Sequence, residues 1–244
     1  MEWRDEGVVV STRRHGESSA VVCLFTHEHG RHSGLARGIS NKRNWGLYQL
    51  GNEVSASWRG RLGEHLGTLT CELTDARAAR LIEDQKRLEA LASVCSLLEA
   101  ALPERHPYPE LYSNTVDLLR EFDANGCWLS ALILWELKLL AELGFGLDLS
   151  SCALTGEKNN LAYVSPRTGR AVTSSAGSPY RDKLLVLPKF VVDSAFQNSV
   201  LSRNDIAAGL KLTGWFISRH LLSERKIKMP AARGRLAKRW EVLP

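Results

Sequence analysis

No stretch of this 244-residue chain approaches the ~18 consecutive apolar residues of a membrane-spanning helix. The longest apolar run, 128–134, leads straight into Glu136 and Lys138. The opening Met1-Glu2-Trp3-Arg4-Asp5-Glu6 lacks the apolar core of a secretory signal, so export is not expected. The five cysteines (Cys23, Cys71, Cys95, Cys127 and Cys152) are odd in number and widely spaced, unlike a disulfide framework. Enzyme signatures are scarce too: there is no phosphate-binding Gly-rich loop ending in Lys-Ser/Thr, no His-Glu-x-x-His, no Gly-x-Ser-x-Gly and no internal repeat. The carboxylates scattered over the helical segments fit i,i+4 contacts better than acid–base pairs. His27, His29 and His32 lie close together but have only Glu28 beside them, so they read as loop histidines and not as metal ligands. These absences lead us to expect a reduced cytoplasmic protein, not an enzyme and without a membrane partner.

What is present is a division of charge. The overall +5 conceals +2 over residues 1–80, −7 over 81–150, +4 over 151–218 and +6 over 219–244. With 44% apolar residues a sizeable core is available, and basic ends around an acidic middle point to a polyanionic partner, most commonly nucleic acid.

Residues 7–73 read as β-structure. Runs at 7–12, 19–26, 32–39, 51–58 and 67–73 are separated by Gly-containing turns such as His15-Gly16-Glu17-Ser18 and His29-Gly30-Arg31. In the fourth run Val54, Ala56 and Trp58 alternate with Glu53, Ser55 and Ser57, and the first set is expected to be core. Five short strands suit a small closed barrel, specifically an OB-fold. Thr74 then caps an expected helix at 76–102, and further helices are expected at 111–122, at 127–143 (apolar enough to be the centre of a bundle), at 193–200 and at 204–222. Residues 147–190 carry few helix signals, and the basic end reads as a partly ordered tail.

The cations of the first 61 positions are the candidate nucleic-acid contacts: Arg13, Arg14, Arg31, Arg37, Lys42, Arg43, Arg59 and Arg61, with Trp45 in a polar loop offering a stacking surface. Cations tracking a groove with an aromatic beside them suit a single strand, whose phosphates meet the charges and whose bases meet the ring. The basic tail would add salt-sensitive phosphate attraction.

The string Glu6-Gly7-Val8-Val9-Val10-Ser11-Thr12-Arg13-Arg14-His15-Gly16-Glu17-Ser18-Ser19 closely resembles the start of the bacterial recombination mediator family RecO. So do Leu24-Phe25-Thr26-His27-Glu28-His29-Gly30-Arg31 and Gly34-Leu35-Ala36-Arg37-Gly38. Phe145-Gly146-Leu147-Asp148-Leu149-Ser150-Ser151-Cys152-Ala153-Leu154-Thr155-Gly156 and Val164-Ser165-Pro166-Arg167-Thr168-Gly169-Arg170 extend the likeness over nearly the whole chain.

The resemblance implies an α+β protein: an OB-fold barrel (1–75), a helical domain in two parts (76–147 and 191–226), a degenerate zinc-ribbon-like insertion between them (148–190) and a basic tail (227–244). It implies a non-enzymatic DNA repair and recombination mediator acting in the cytoplasm at the nucleoid. Such a protein binds single- and double-stranded DNA, anneals complementary strands, and works with RecR to load RecA on DNA coated by single-stranded DNA-binding protein (SSB). Many members hold zinc through two cysteine pairs. Here only Cys152 remains, with Thr155, Thr173 and Ala176 at the other matching positions, so no metal or other cofactor is expected. The acidic, apolar C-terminal tail of SSB would need an apolar pocket rimmed by cations. Lys138 and the eight-residue series Arg203, Lys211 and Arg219 beside Trp215 are the candidates. The residues alone leave two other classes open, an interaction adaptor with weak DNA contact and an RNA-binding OB-fold protein.

Overall fold

The computed structural model describes the whole chain except Ser40, Asn41, Asn125, 197–200, Glu224 and 242–244, and except the side chains of Lys42, Arg43 and Ser194. The chain forms two compact units. The first comprises Met1–Asp123 with Pro230–Leu236, the second Ala124–Met229 with Ala237–Pro244.

The first unit is built on a closed five-stranded barrel of β1 (Glu2–His15), β2 (Ser19–Thr26), β3 (Gly30–Arg37), β4 (Glu53–Arg59) and β5 (Thr68–Asp75), in the order β1-β2-β3-β5-β4. Neighbours are antiparallel except β3 and β5, which meet in parallel at Leu35 and Thr68. The short helix α1 (Lys42–Leu47) lies between β3 and β4. The interior holds Val9, Ala20, Val22, Leu24, Ala36, Val54, Ala56, Trp58 and Leu69, so the alternation expected for β4 is the alternation observed. Gly34 is required there, because a Cβ would stand 2.7 Å from the side chain of Leu69.

The opposite face of β1 and β2 is buried as well: Val8 and Phe25 are wholly inaccessible and Cys23 nearly so. Uninterrupted runs such as Val8-Val9-Val10 and Cys23-Leu24-Phe25 are what a strand covered on both sides requires. The cover is α3 (Gln85–Ala101) and α4 (Pro109–Asp123). The Cys95 Sγ lies 3.7 Å from the carbonyl oxygen of Val9 on β1, and Tyr112 meets Phe25 edge-on at 5.6 Å. Gly51 has φ +78° and lies so close to Leu91 that a Cβ would come within 2.4 Å of it.

The expected helix at 76–102 is split. A single turn, α2 (Arg77–Arg80), is followed by a break, and α3 starts at Asp84, whose carboxylate accepts from the backbone N–H of Lys86 and Arg87. Asp84 is a better cap than Thr74, and that competition breaks the run.

Arg77 is the hub of the first unit. It is 1% exposed and reaches Glu53 at the start of β4 (2.7 Å), Asp75 at the end of β5 (2.8 Å) and Asp123 at the end of α4 (3.5 Å). Arg80 bridges Asp75 and Asp123 from the outside and holds the Asp75 carboxyl below its usual range.

In the second unit α5 (Trp128–Glu142) packs on α8 (Arg203–Phe216), which is entered through a Ser202/Asp205 capping box. Gly209 admits Ile133 of α5 at a distance a Cβ would forbid, and the buried Thr213 hydroxyl donates to the buried Glu136 carboxylate. Between these helices the irregular segment forms a three-stranded sheet, β7-β6-β8, from β6 (Leu161–Val164), β7 (Ala171–Thr173) and β8 (Leu185–Val186), with the short helices α6 (Ser174–Gly177) and α7 (Lys189–Val192). The helix expected at 193–200 is limited to a 3-10 turn at Ser194–Phe196, and 197–200 fall outside the described residues.

The basic end is not a loose tail. It forms α9 (Ala231–Trp240), with Ala232, Arg233 and Leu236 buried. Lysine and arginine counts hid the two apolar positions four residues apart, Ala232 and Leu236, that give the helix a face to bury.

Truncating Arg77 would remove the ion pair of Glu53 and leave Asp75 and Asp123 facing only Arg80. Arg77→Ala is therefore expected to lower unfolding stability by about 3–5 kcal/mol in urea titration, as for a broken buried ion pair. A loss below about 1 kcal/mol, the range of an exposed pair, would remove Arg77 from this role.

Candidate nucleic-acid interface

The β1–β2 hairpin end brings together cations from β1 and β3, the two strands that flank β2. Arg13 and Arg14 on β1 stand opposite Val21 and Ala20 on β2, and Ser19 and Ala20 stand opposite Arg37 and Ala36 on β3. Arg14 and Arg37 are exposed, and no carboxylate pairs with either among the described residues. The Arg14 guanidinium lies 5.0 Å from the centre of the Trp45 ring, which is half-buried against the barrel core. Asn44 donates to the Gly38 carbonyl (2.6 Å), tying α1 to the exit of β3 and so fixing Trp45 beside this end. Lys42 and Arg43 open α1, but their side chains lie outside the described residues.

The remaining candidates differ. Arg13 is exposed but tethered to Glu99 at 2.5 Å, the carboxylate that also accepts from Ser11. Arg59 donates to Glu2 at 2.8 and 3.2 Å and holds that carboxyl below its usual range. Arg61 is exposed in the β4–β5 loop. Arg31 is the least accessible of them. Its side chain is only 17% exposed, its Nε donates to the Leu102 carbonyl (2.9 Å), and its Nη1 donates to Glu104 (3.3 Å). Arg31 holds the segment after α3 against β3, so its guanidinium is engaged within the unit. The sequence reading also missed Arg105, which donates to the Glu64 carbonyl (2.8 Å) and secures the β4–β5 loop.

In the second unit the cationic series on α8 does not form one stripe. Eight residues advance a helix about 80° beyond two full turns, so the three cations diverge. Arg203 donates to the Arg239 and Glu241 carbonyls (2.6 and 3.2 Å) and lies over the Trp240 ring. Lys211 lines a groove of about 820 Å³ with the cations Arg181 and Lys238, the carboxylates Asp182 and Glu241, and Leu184, Leu185 and Leu210. Trp215 and Arg219 line a different cavity, and Lys138 is exposed on α5 and lines neither.

Cys152 is buried where the resemblance implies zinc. Its sulfur accepts from the Thr173 N–H (3.3 Å) and lies 3.6 Å from the Thr173 hydroxyl. Burial alone would push the thiol up, but donation from the Thr155 hydroxyl and from the Thr173, Leu154 and Thr155 amides outweighs it and brings the pKa down to about 6. Hydroxyls thus stand where a zinc site needs thiolates or imidazoles, and no group of three or more His, Cys, Asp or Glu suited to a metal exists among the described residues. The donor set does not fit zinc.

Comparison with known proteins covers both units. The family model described as the N-terminal part of recombination protein O matches residues 1–77, and the one for its C-terminal part matches 82–228. The "DNA repair protein RecO" of Rhodospirillum centenum is 50% identical over 244 residues, covering 98% of this chain and 95% of that protein. The protein of the same name from Rhodospirillum rubrum is 43% identical, covering 98% and 96%. That from Jannaschia sp. is 44% identical over 237 residues, covering 97% and 95%.

The Cys152 environment carries a prediction. Elemental analysis of the purified protein should find no stoichiometric zinc, and a chelator should leave its melting temperature unchanged. One zinc per chain, or a chelator-induced drop in melting temperature, would contradict this account of Cys152.

Proposed function

We propose that this chain, which belongs to the RecO family of DNA repair and recombination proteins, binds single- and double-stranded DNA at the hairpin end of its barrel and anneals complementary strands. The observation that carries this reading is the pairing of Arg14 with Trp45 beside Arg37, cations without carboxylate partners next to a fixed aromatic. Guanidinium groups take the phosphates, which releases condensed counterions and lowers the repulsion between two strands. Held by their backbone, the bases stay free to meet a complement. Annealing by this route needs no covalent step, in keeping with a family not known for catalysis.

In this reading the protein acts in the cytoplasm at the nucleoid, together with RecR, to help RecA load on SSB-coated DNA. SSB would be engaged through its acidic C-terminal tail, for which the Lys211 groove has suitable chemistry. Leu184, Leu185 and Leu210 offer an apolar floor, and Arg181, Lys238 and Lys211 outnumber the carboxylates Asp182 and Glu241 at its edge. Arg203 does not line this groove and instead holds the end of α9.

The test is oligonucleotide binding across a salt series. The double variant Arg14→Gln/Arg37→Gln should weaken binding regardless of base sequence and flatten the slope of log affinity against log salt by about 1.4 for a single strand, two phosphates' worth. Unaltered affinity and slope would remove the hairpin end from the interface, and tighter binding to RNA of the same sequence would favour an RNA-binding function. In the same series Lys211→Glu should keep DNA affinity while losing that for the SSB tail peptide. A peptide affinity unchanged at low salt would remove this groove as its receptor.

A further inference from the structure

The C-terminal end of α8 changes its winding. From Ile217 to Leu222 the helix runs as a π-turn, with the Ser223 N–H reaching back five residues to the Ser218 carbonyl (3.2 Å). Such widened turns are rare and concentrate at functional sites. Around this one lies a cavity of about 630 Å³ lined by Trp215, Ser218, Arg219, His220 and Ser223.

Three features of the lining are unusual together. Trp215 is 45% exposed, yet its Nε1 donates to the Pro166 carbonyl (3.3 Å), so the indole is held in place with part of its surface open. His220 stacks between Phe145 (5.2 Å) and Phe216 (5.9 Å), which fixes the imidazole as part of the wall. Arg219 is exposed, and no carboxylate pairs with it among the described residues. No acidic side chain lines the cavity among the described residues, and the sequence leaving it carries three cations, Arg225, Lys226 and Lys228, against one carboxylate, Glu224.

We infer that this cavity is a second contact for single-stranded DNA, seating one nucleotide with its base on Trp215 and its phosphate on Arg219. The inference rests on the reading that the chain binds DNA, and it adds a site in the second unit. A restrained aromatic face beside an unpaired guanidinium is the pairing that a base and its phosphate need, and stacking accepts any base. An acidic peptide ending in an apolar side chain is a poorer match, since apart from Trp215 the lining is hydroxyl, imidazole and guanidinium.

The experiment is fluorescence anisotropy with a labelled thymidine oligonucleotide and the full-length protein. Trp215→Ala should weaken binding about tenfold with little change in the salt slope, because stacking carries no charge. Trp215→Phe should restore most of the affinity, which a merely structural loss would not permit. Arg219→Gln should instead lower the slope by about 0.7, one phosphate of a single strand. If the wild-type protein binds the oligonucleotide and the Arg14→Gln/Arg37→Gln variant weakens it while both Trp215 variants match wild type, this site is refuted and the hairpin site stands. If the wild-type protein does not bind the oligonucleotide, the DNA-binding reading itself fails. If Trp215→Ala loses affinity for an acidic peptide with a free C-terminal carboxylate and keeps it for DNA, the cavity is a peptide receptor and the inference is overturned.

Discussion

The buried guanidinium of Arg77 is the constraint on which the first unit depends. It draws Glu53, Asp75 and Asp123 onto one group, and so ties two strands of the barrel to the end of α4. With α4 fixed there, Tyr112 meets Phe25, and with Cys95 of α3 against β1 the outer face of β1 and β2 is closed to solvent. In our proposal that closure decides where a polyanion approaches. Arg31 and Arg13 are engaged along the covered side by Glu104, the Leu102 carbonyl and Glu99, while Arg14 and Arg37 at the hairpin keep their charges for a ligand. A buried ion cluster is costly to desolvate, and its value here is in specifying one arrangement of barrel and helices.

The barrel could be read from the sequence because its signal is local. Alternation in β4 and Gly-containing turns between short β-branched runs depend on neighbours along the chain. The covering helices were legible as helices, but their docking was not. Val8-Val9-Val10 reads as a strand, and only the tertiary structure shows that both of its faces are buried. Arg31 and Arg37 make the same point. They lie on one face of β3, six residues apart, with the same side chain, and they differ only because a segment some seventy positions later in the chain arrives at one of them. Trp58 was correctly assigned to the core from its place in an alternating run.

In the second unit the irregular segment concealed a small sheet, because strands of two to four residues are too short to show a period. The cations of α8 looked aligned at a spacing of eight, but helical geometry turns them apart, and the π-turn widens the helix where the last of them sits. Their separation divides the unit's surface chemistry in two, an apolar-floored groove at Lys211 and an aromatic, cationic cavity at Trp215. Cys152 keeps a cradle of N–H and O–H donors around one sulfur, and these hydrogen bonds help to hold its loop.

The central claim is that in the first unit the helical cover leaves the hairpin end as the place where DNA binds. Amide hydrogen exchange in the presence and absence of a short thymidine oligonucleotide tests it most directly, since it reads the whole unit in one measurement. The account predicts slowed exchange at residues 11–20 and 37–48, with α3 and α4 unchanged. Protection spread over α3 and α4, with the hairpin and α1 unaffected, would contradict it.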